Sequence, residues 1–373
     1  MHADVKLALV GDLILGEPDP DFFFAEVRET LRARDLVIGH IEVPHTRRGR
    51  ELSFDVPAVP SDPDHLAALS RAGFQLATLA GNHIYDYGRE GIEDTIAGLA
   101  AAGIESCGAG LDLAQARKPA LLERNGISVG VLSYNCVGPR ESWAGEQKPG
   151  CAFLRVMGAD GRDNPGPGVA ESLVASADPH SLRALQEEVA QLAARVSCVI
   201  VALHKGIVHT PATLAGYERP LAHAAAEAGA SLVVSHHAHI LRGIEQVGAC
   251  PIFHGLGNFV TVTRALNLDD ANPARRAWAL KRRQVFGFTP DPNYPTYPFH
   301  PEAKHALIAD CRIDARGRVS AGYLPCWIQP SGRPEVLGRD TRGQAVFEYV
   351  AKISRDVGLH TEFAWEGDRV VCG

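Results

Sequence analysis

A broad basic field is missing from this 373-residue chain. The formal net charge is −7, so nucleic acid is not expected as a partner. No apolar run is long enough to span a membrane. The polar start Met1-His2-Ala3-Asp4-Val5-Lys6 lacks the charged and then apolar stretches of an export signal. A cytoplasmic location and no membrane partner are the resulting expectations. Eight cysteines are present but none in C-x-x-C spacing, which predicts reduced thiols rather than a disulfide framework. Internal repeats, low-complexity tracts and a Pro/Gly/Ser-rich linker are also missing. One domain over residues 1–373 is therefore expected, with loop insertions at about 136–170 and 261–303. The oligomeric state is not written in any of these features.

The residues that are present alternate between strand and helix signals. Apolar runs at Lys6–Val10, Leu36–Ile41, Leu76–Leu79, Cys198–Leu203 and Ser231–Ser235 read as strands. Asp21–Arg34, Asp62–Ala72 (with Ser61 as N-cap), Arg89–Ala102, Pro179–Arg195, Tyr217–Ala228 and Gln344–Val357 read as helices. Asn125-Gly126, Gly248 and Arg316-Gly317 mark hairpins. The alternation predicts an α/β fold with helix-covered sheets.

The chemistry lies where the strands stop. Asp12, Glu42, Asn82-His83, His204 and His237 with His239 each follow a predicted strand. In open α/β sheets ligands bind outside the carboxyl ends of the strands, so these groups are expected at one edge. Two carboxylates, an amide and several imidazoles suit a divalent metal ion. His40 precedes Glu42 by two, so period-2 alternation puts it on the same strand face as a possible additional ligand or proton carrier. His236 is expected to turn away from this edge. Asp86 has two readings, a cap for the following helix or a partner of the site.

The order Gly11-Asp12, an acidic strand end, Gly81-Asn82-His83, a lone His204 and then His237-x-His239 resembles the calcineurin-like metallophosphoesterases. Gly81-Asn82-His83-Ile84-Tyr85-Asp86-Tyr87-Gly88, His204-Lys205-Gly206 and His254-Gly255-Leu256-Gly257-Asn258-Phe259 resemble the branch of capsule and poly-γ-glutamate synthesis (CapA) proteins. The resemblance covers about residues 5–260. It implies a four-layer α-β-β-α sandwich with loop insertions. It implies Asp12 and His239 at one metal position, and Asn82, His204 and His237 at the other with Glu42 between them. His83 is implied as the acid/base residue. One or two divalent ions (Ca, Mn, Mg or Zn) are the implied cofactor.

The chain departs from that pattern. Ile14 stands where the phosphoesterase pattern has a histidine, Glu42 replaces the usual aspartate, and Ile84 follows Asn-His where an aspartate is usual. Losing one ligand weakens the case for hydrolysis at a metal pair, which needs both ions. The CapA branch also resembles the lasso-peptide epimerase, which inverts a residue of a ribosomal peptide precursor. Three expectations follow: L-to-D inversion at a peptide Cα, hydrolysis of a phosphoester or a poly-γ-glutamate-like amide, and metal-dependent polymer binding without catalysis. Inversion needs a proton carrier on each face of the Cα. Asp12, His83, Asp86 and His300 are the candidates, with a peptide or peptide-like substrate as partner. The basic run around Arg275 and Arg276 is read as either a solvated helix face or a carboxylate clamp. Tyr297 and Phe299, with Tyr294 and Trp278, are candidates for an apolar substrate pocket.

Overall fold

The computed structural model describes residues 4–52, 56, 58–163, 172–264 and 271–373. Residues 164–170 and 265–270 of the two expected insertions, and the side chain of Arg283, lie outside the described residues.

Period-2 alternation fixes the layers. On the first strand, Val5–Leu15, Leu7 and Leu9 enter one apolar cluster while Ala8 and Val10 enter another. This strand is central in a sheet with Leu36–Ile41, Leu76–Thr78 and Glu105–Cys107 in parallel on one side. On the other side His305–Ile313 and Gly322–Ile328 run antiparallel, followed by the terminal hairpin Phe363–Glu366 and Arg369–Cys372. A second sheet has Cys198–Lys205 at its centre, parallel to Ile127–Asn135 and Leu232–His237. Its edges are Ala120–Arg124 and the hairpin Ile244–Val247 with Cys250–Phe253.

The two sheets pack on each other through Leu7, Leu9 and Ile38 from one and Val129, Ile200 and Val234 from the other. Helices cover both outer faces. Phe24, Leu31, Leu69, Ile92 and Leu99 close the first. Leu185 and Val189 of helix Pro179–Ala193, and Leu221 and Ala225 of helix Glu218–Glu227, close the second. The result is the α-β-β-α order of the calcineurin-like fold.

Some local expectations shift. The helix expected over Asp21–Arg34 is two short helices, Pro20–Phe24 and Arg28–Arg32. Arg28 bridges the break by donating to the Asp21 carboxylate at 2.6 Å. Asp62, not Ser61, caps the next helical segment, accepting from the Asp64 N–H at 2.9 Å. Asn125 and Gly126 take φ of 52° and 76°, as a two-residue turn that matches strand twist requires. All eight cysteines are free, seven of them buried. Among the described residues no helix is long and apolar enough to cross a membrane.

The first strand does not end at Asp12 but continues to Leu15, with its register slipping around Asp12. Strand Asn258–Val262 joins it there in parallel, and the Asp12 N–H donates to the Gly257 carbonyl at 2.9 Å. Gly11 permits this approach, since a Cβ at this position would sit 2.1 Å from the Gly257 oxygen. Backbone cannot yield as a side-chain tip does. Gly11→Ala is therefore expected to cost about 1–3 kcal/mol, read as a lower calorimetric melting temperature with helix and strand content unchanged.

Candidate metal centre and active site

The strand ends deliver the expected residues to one place. Asp12 lies opposite His40 across the first parallel pair, and His204 opposite His236 across the second. Asp12, His40, Glu42 and His204 are at most 1% exposed. Each offers one ligand atom, and these atoms lie within 4.8 Å of one another, so the four side chains could hold a metal ion.

The hydrogen-bond pattern sharpens this. His40 Nδ1 lies 3.0 Å from the Thr78 hydroxyl, which itself donates to the Gly39 carbonyl. Nδ1 therefore carries the proton, and Nε2 turns a lone pair toward Glu42 Oε2 at 3.4 Å. His204 Nε2 faces the Asn82 side-chain oxygen at 2.9 Å, which turns the Nδ1 lone pair toward Glu42 at 3.9 Å. His40 Nε2, His204 Nδ1 and both oxygens of Asp12 and of Glu42 are buried without a hydrogen-bond donor. Such a convergence of acceptors is costly unless positive charge lies among them. An imidazole and carboxylate donor set suits Mn, Fe or Zn and admits Mg or Ca.

Protonated imidazole supplies part of that charge. His239 Nδ1 is 3.1 Å from Asp12 Oδ2 and 2.9 Å from the Asn258 side-chain oxygen, and its Nε2 is 3.5 Å from Glu42 Oε1. Burial works against its charge, but the adjacent Asp12 and Glu42 carboxylates outweigh burial and hold its pKa above the ordinary value. Burial alone would raise the Glu42 carboxyl, yet His204, His40 and His239 around it keep it well below the usual range. Burial pushes the His204 imidazole down, against the pull of Glu42.

The remaining expected residues fall into two groups. His83 and Asp86 form a buried pair, with Nδ1 to Oδ2 at 2.7 Å. Asp86 is thus a partner of His83 and makes no side-chain cap to the helix Gly88–Ala101. His237 and His239 both adopt left-handed φ, 83° and 53°, which turns successive imidazoles inward after the strand. His237 lies 4.8 Å from His204, ring centre to ring centre. His236 does not turn away. It backs the site, stacked on His40 at 4.7 Å, with burial holding its pKa at about 4.

A cavity of about 590 Å³ opens over these groups, with Glu42, Asn82, His83, His237 and His239 on its wall. Ile14 and Val43 line it too, so the missing histidine is replaced by apolar surface. Phe299 is on the wall as expected. Tyr297 is not. It lies 2% exposed behind the wall, donating to the Ala303 carbonyl at 2.7 Å and accepting from Asn258 at 3.0 Å. Arg275 pairs with Glu51 at 3.1 Å, and Arg276 donates to the Ala271 carbonyl at 2.9 Å; neither is on the wall. The same helix, Pro273–Phe286, instead presents Trp278, Arg282 and Phe286, four residues apart on one face. Burial pulls the Arg282 guanidinium down to about 10. His300 is one residue beyond Phe299. Its Nδ1 accepts from the Glu302 N–H at 3.1 Å and its ring meets Phe288 at 5.1 Å.

Sequence reasoning missed two features. One is His209, which borders the cavity from the loop after Lys205. The other is the buried charge network that holds this loop. Lys205 donates to Glu218 at 2.8 Å, and Arg242 lies 3.1 Å from the same carboxylate, all three side chains fully buried. Arg242 also donates to the carbonyls of Ile207, Thr210 and Thr213. The only sequence signal was the oddity of a lysine and a glutamate inside apolar segments.

Two predictions follow from this geometry. Ile14→His adds the missing ligand and is expected to raise bound metal toward two ions per chain by elemental analysis; Glu42→Gln is expected to lower affinity by more than about tenfold. Burial would raise Glu218, but Lys205 and Arg242 hold its pKa at about 2. A lowered pKa stabilises the fold above the unfolded carboxyl value, and that stability is lost as pH falls toward 2. Glu218→Gln is expected to cost about 3–5 kcal/mol at neutral pH. It should also flatten the acid limb of the stability curve between pH 4.5 and 2, measured by urea unfolding.

The chain is similar in sequence to known proteins. The family profile described as bacterial capsule synthesis protein PGA_cap matches residues 6–263. The PGA biosynthesis protein CapA of Bacillus subtilis is 27% identical over 266 residues, covering 69% of this chain and 63% of that one. A probable polyglutamine synthesis accessory protein of Mycobacterium tuberculosis is 32% identical over 234 residues, covering 61% and 56%. The chain thus spans less than two thirds of the length of these curated relatives. Among solved structures, the calcineurin-like phosphoesterase YfkN of Bacillus subtilis aligns over 95% of this chain and 98% of its own, at 12% identity and a TM-score of 0.37. With the family profile covering most of its length, the chain belongs to the bacterial capsule synthesis protein family, PGA_cap.

Proposed function

We propose that this protein is a metal-dependent acid/base enzyme acting on a peptide-like substrate, and that its reaction is L-to-D inversion at a residue's Cα. The observation that carries the reading is two imidazole–carboxylate couples at one largely apolar cavity: His83 hydrogen-bonded to Asp86, and His239 ion-paired with Asp12. His83 lies beyond strand Leu76–Thr78 of the first sheet and His239 beyond strand Leu232–His237 of the second, and both line the cavity.

Inversion takes a proton from one face of the Cα and returns one to the other, with no bond between heavy atoms broken. Asp86 orients the His83 ring and favours its accepting a proton. Asp12 holds His239 as the protonated partner. Asp12 was expected as a proton carrier, but it is fully buried and off the cavity wall, which suits holding charge rather than touching substrate. His300 remains a candidate carrier, with its Nδ1 fixed by the Glu302 N–H. A divalent cation held by Asp12, His40, Glu42 and His204 would polarise the carbonyl beside the Cα as a Lewis acid. The apolar wall keeps water from the carbon centre, and Arg282 provides a cation for a carboxylate.

The second reading is hydrolysis of a phosphoester or amide. It is favoured by the family's links to polyglutamate synthesis and by the retained Asn82-His83. Each unit of poly-γ-glutamate carries a carboxylate, and Arg140, Arg162 and Arg282 on the wall are cations of the kind that would pair with it.

The test uses metal-stripped and metal-restored protein in D2O, with apolar peptides and with bis(4-nitrophenyl) phosphate. Deuterium at one Cα, with L-to-D conversion and no cleavage, is the expected result. His83→Ala should lower that rate by about 10²–10⁴. Cleavage without exchange would establish the hydrolase instead. No turnover with either substrate would leave a binding protein.

A further inference from the structure

His209 stands in the tract between strand Cys198–Lys205 and helix Glu218–Glu227. Its backbone is left-handed, with φ of 56°, an unfavourable state for a residue other than glycine. Its N–H donates to the Ala238 carbonyl at 2.8 Å, which ties it to the turn between His237 and His239. Its ring lies 6.0 Å from that of His239 at 29°, and meets Phe286 and Phe288 edge-on at 5.1 and 4.8 Å. Nδ1 is buried and has no hydrogen-bond partner.

Both features are costly, and the surroundings hold them in place. A Cβ at Gly206, where φ is 104°, would lie 2.9 Å from the Glu218 carboxylate, so the loop leaves the strand by a path only glycine follows easily. The Gly206 N–H donates to the Tyr217 hydroxyl at 2.9 Å. Arg242 binds loop carbonyls on both sides of His209, at Ile207 and Thr210. A rigidly mounted imidazole beside a cavity, with a buried unpartnered nitrogen, has the form of a ligand contact. Burial holds the ring neutral, so it offers one N–H and one lone pair.

We propose that His209 is a substrate-contacting residue, whose imidazole hydrogen-bonds a backbone amide of the substrate between His239 and the phenylalanine wall. An amide answers either tautomer, because it carries both a donor and an acceptor. The proposal rests on the cavity being a peptide site, and is independent of which bond the enzyme changes.

The test is calorimetric titration of the metal-restored protein with N-acetyl-L-phenylalanine and with 3-phenylpropanoate, which lacks the acetamido group. Wild type is expected to prefer the first. His209→Phe keeps a ring in the wall and is expected to lose that preference by about 3- to 10-fold, with the affinity for 3-phenylpropanoate nearly unchanged. His209→Asn, which tolerates the left-handed backbone, should retain part of it. In wild type, a 15N resonance of the His209 ring should shift on adding the amide probe and stay fixed with the other. An unchanged preference in His209→Phe together with a fixed resonance would overturn the assignment and leave the proposed function standing. Failure of both probes to bind wild type would overturn the peptide site and His209 with it.

Discussion

Two carboxylates taken out of water, on Asp12 and Glu42, are the constraint around which this molecule is organised. A desolvated carboxylate is tolerated only when paired. Here the pairing comes from imidazoles on three separate stretches of chain, His40, His204 and His239, and from the place a cation would occupy. The consequences run outward. His40 must hold its proton on the Thr78 side, His204 must face Asn82, and His237 and His239 must take left-handed backbone. Each of these second-layer features is intelligible once the charge at the centre is given, and none is otherwise favourable.

The same reasoning accounts for the departure from the two-metal pattern. Ile14 sits at a wall position where a ligand would belong, while His40 lies within ligand distance of Glu42. The donor set has moved rather than simply shrunk. One position keeps a full complement of acceptors, and the other has become part of an apolar surface continuous with Val43. The cavity wall beside Glu42 is thereby apolar at Ile14 and Val43.

The parts legible in the sequence share one signal, a polar residue after a short apolar run. That signal found Asp12, Glu42, Asn82, His204 and His237, because a strand end in an open sheet leaves its last side chains uncovered. It failed where no periodicity exists. His209 sits in an irregular loop, and nothing in Gly206-Ile207-Val208-His209 says that the loop folds back over the histidines. The basic run from Arg275 is helical, but charge alone does not say which face is buried. Helix geometry, not composition, selects Arg282 over Arg276. Strand Asn258–Val262 and the terminal hairpin Phe363–Cys372 were not read because pairing partners, rather than local patterns, define them.

The pairing of Asp12 with Asn258 has a kinetic consequence. Roughly two thirds of the chain separates these neighbours, so closing that contact carries the entropy of a very long loop and falls late in assembly. The Asn258 contact that fixes the His239 ring beside Asp12 is therefore among the last parts of the site to form.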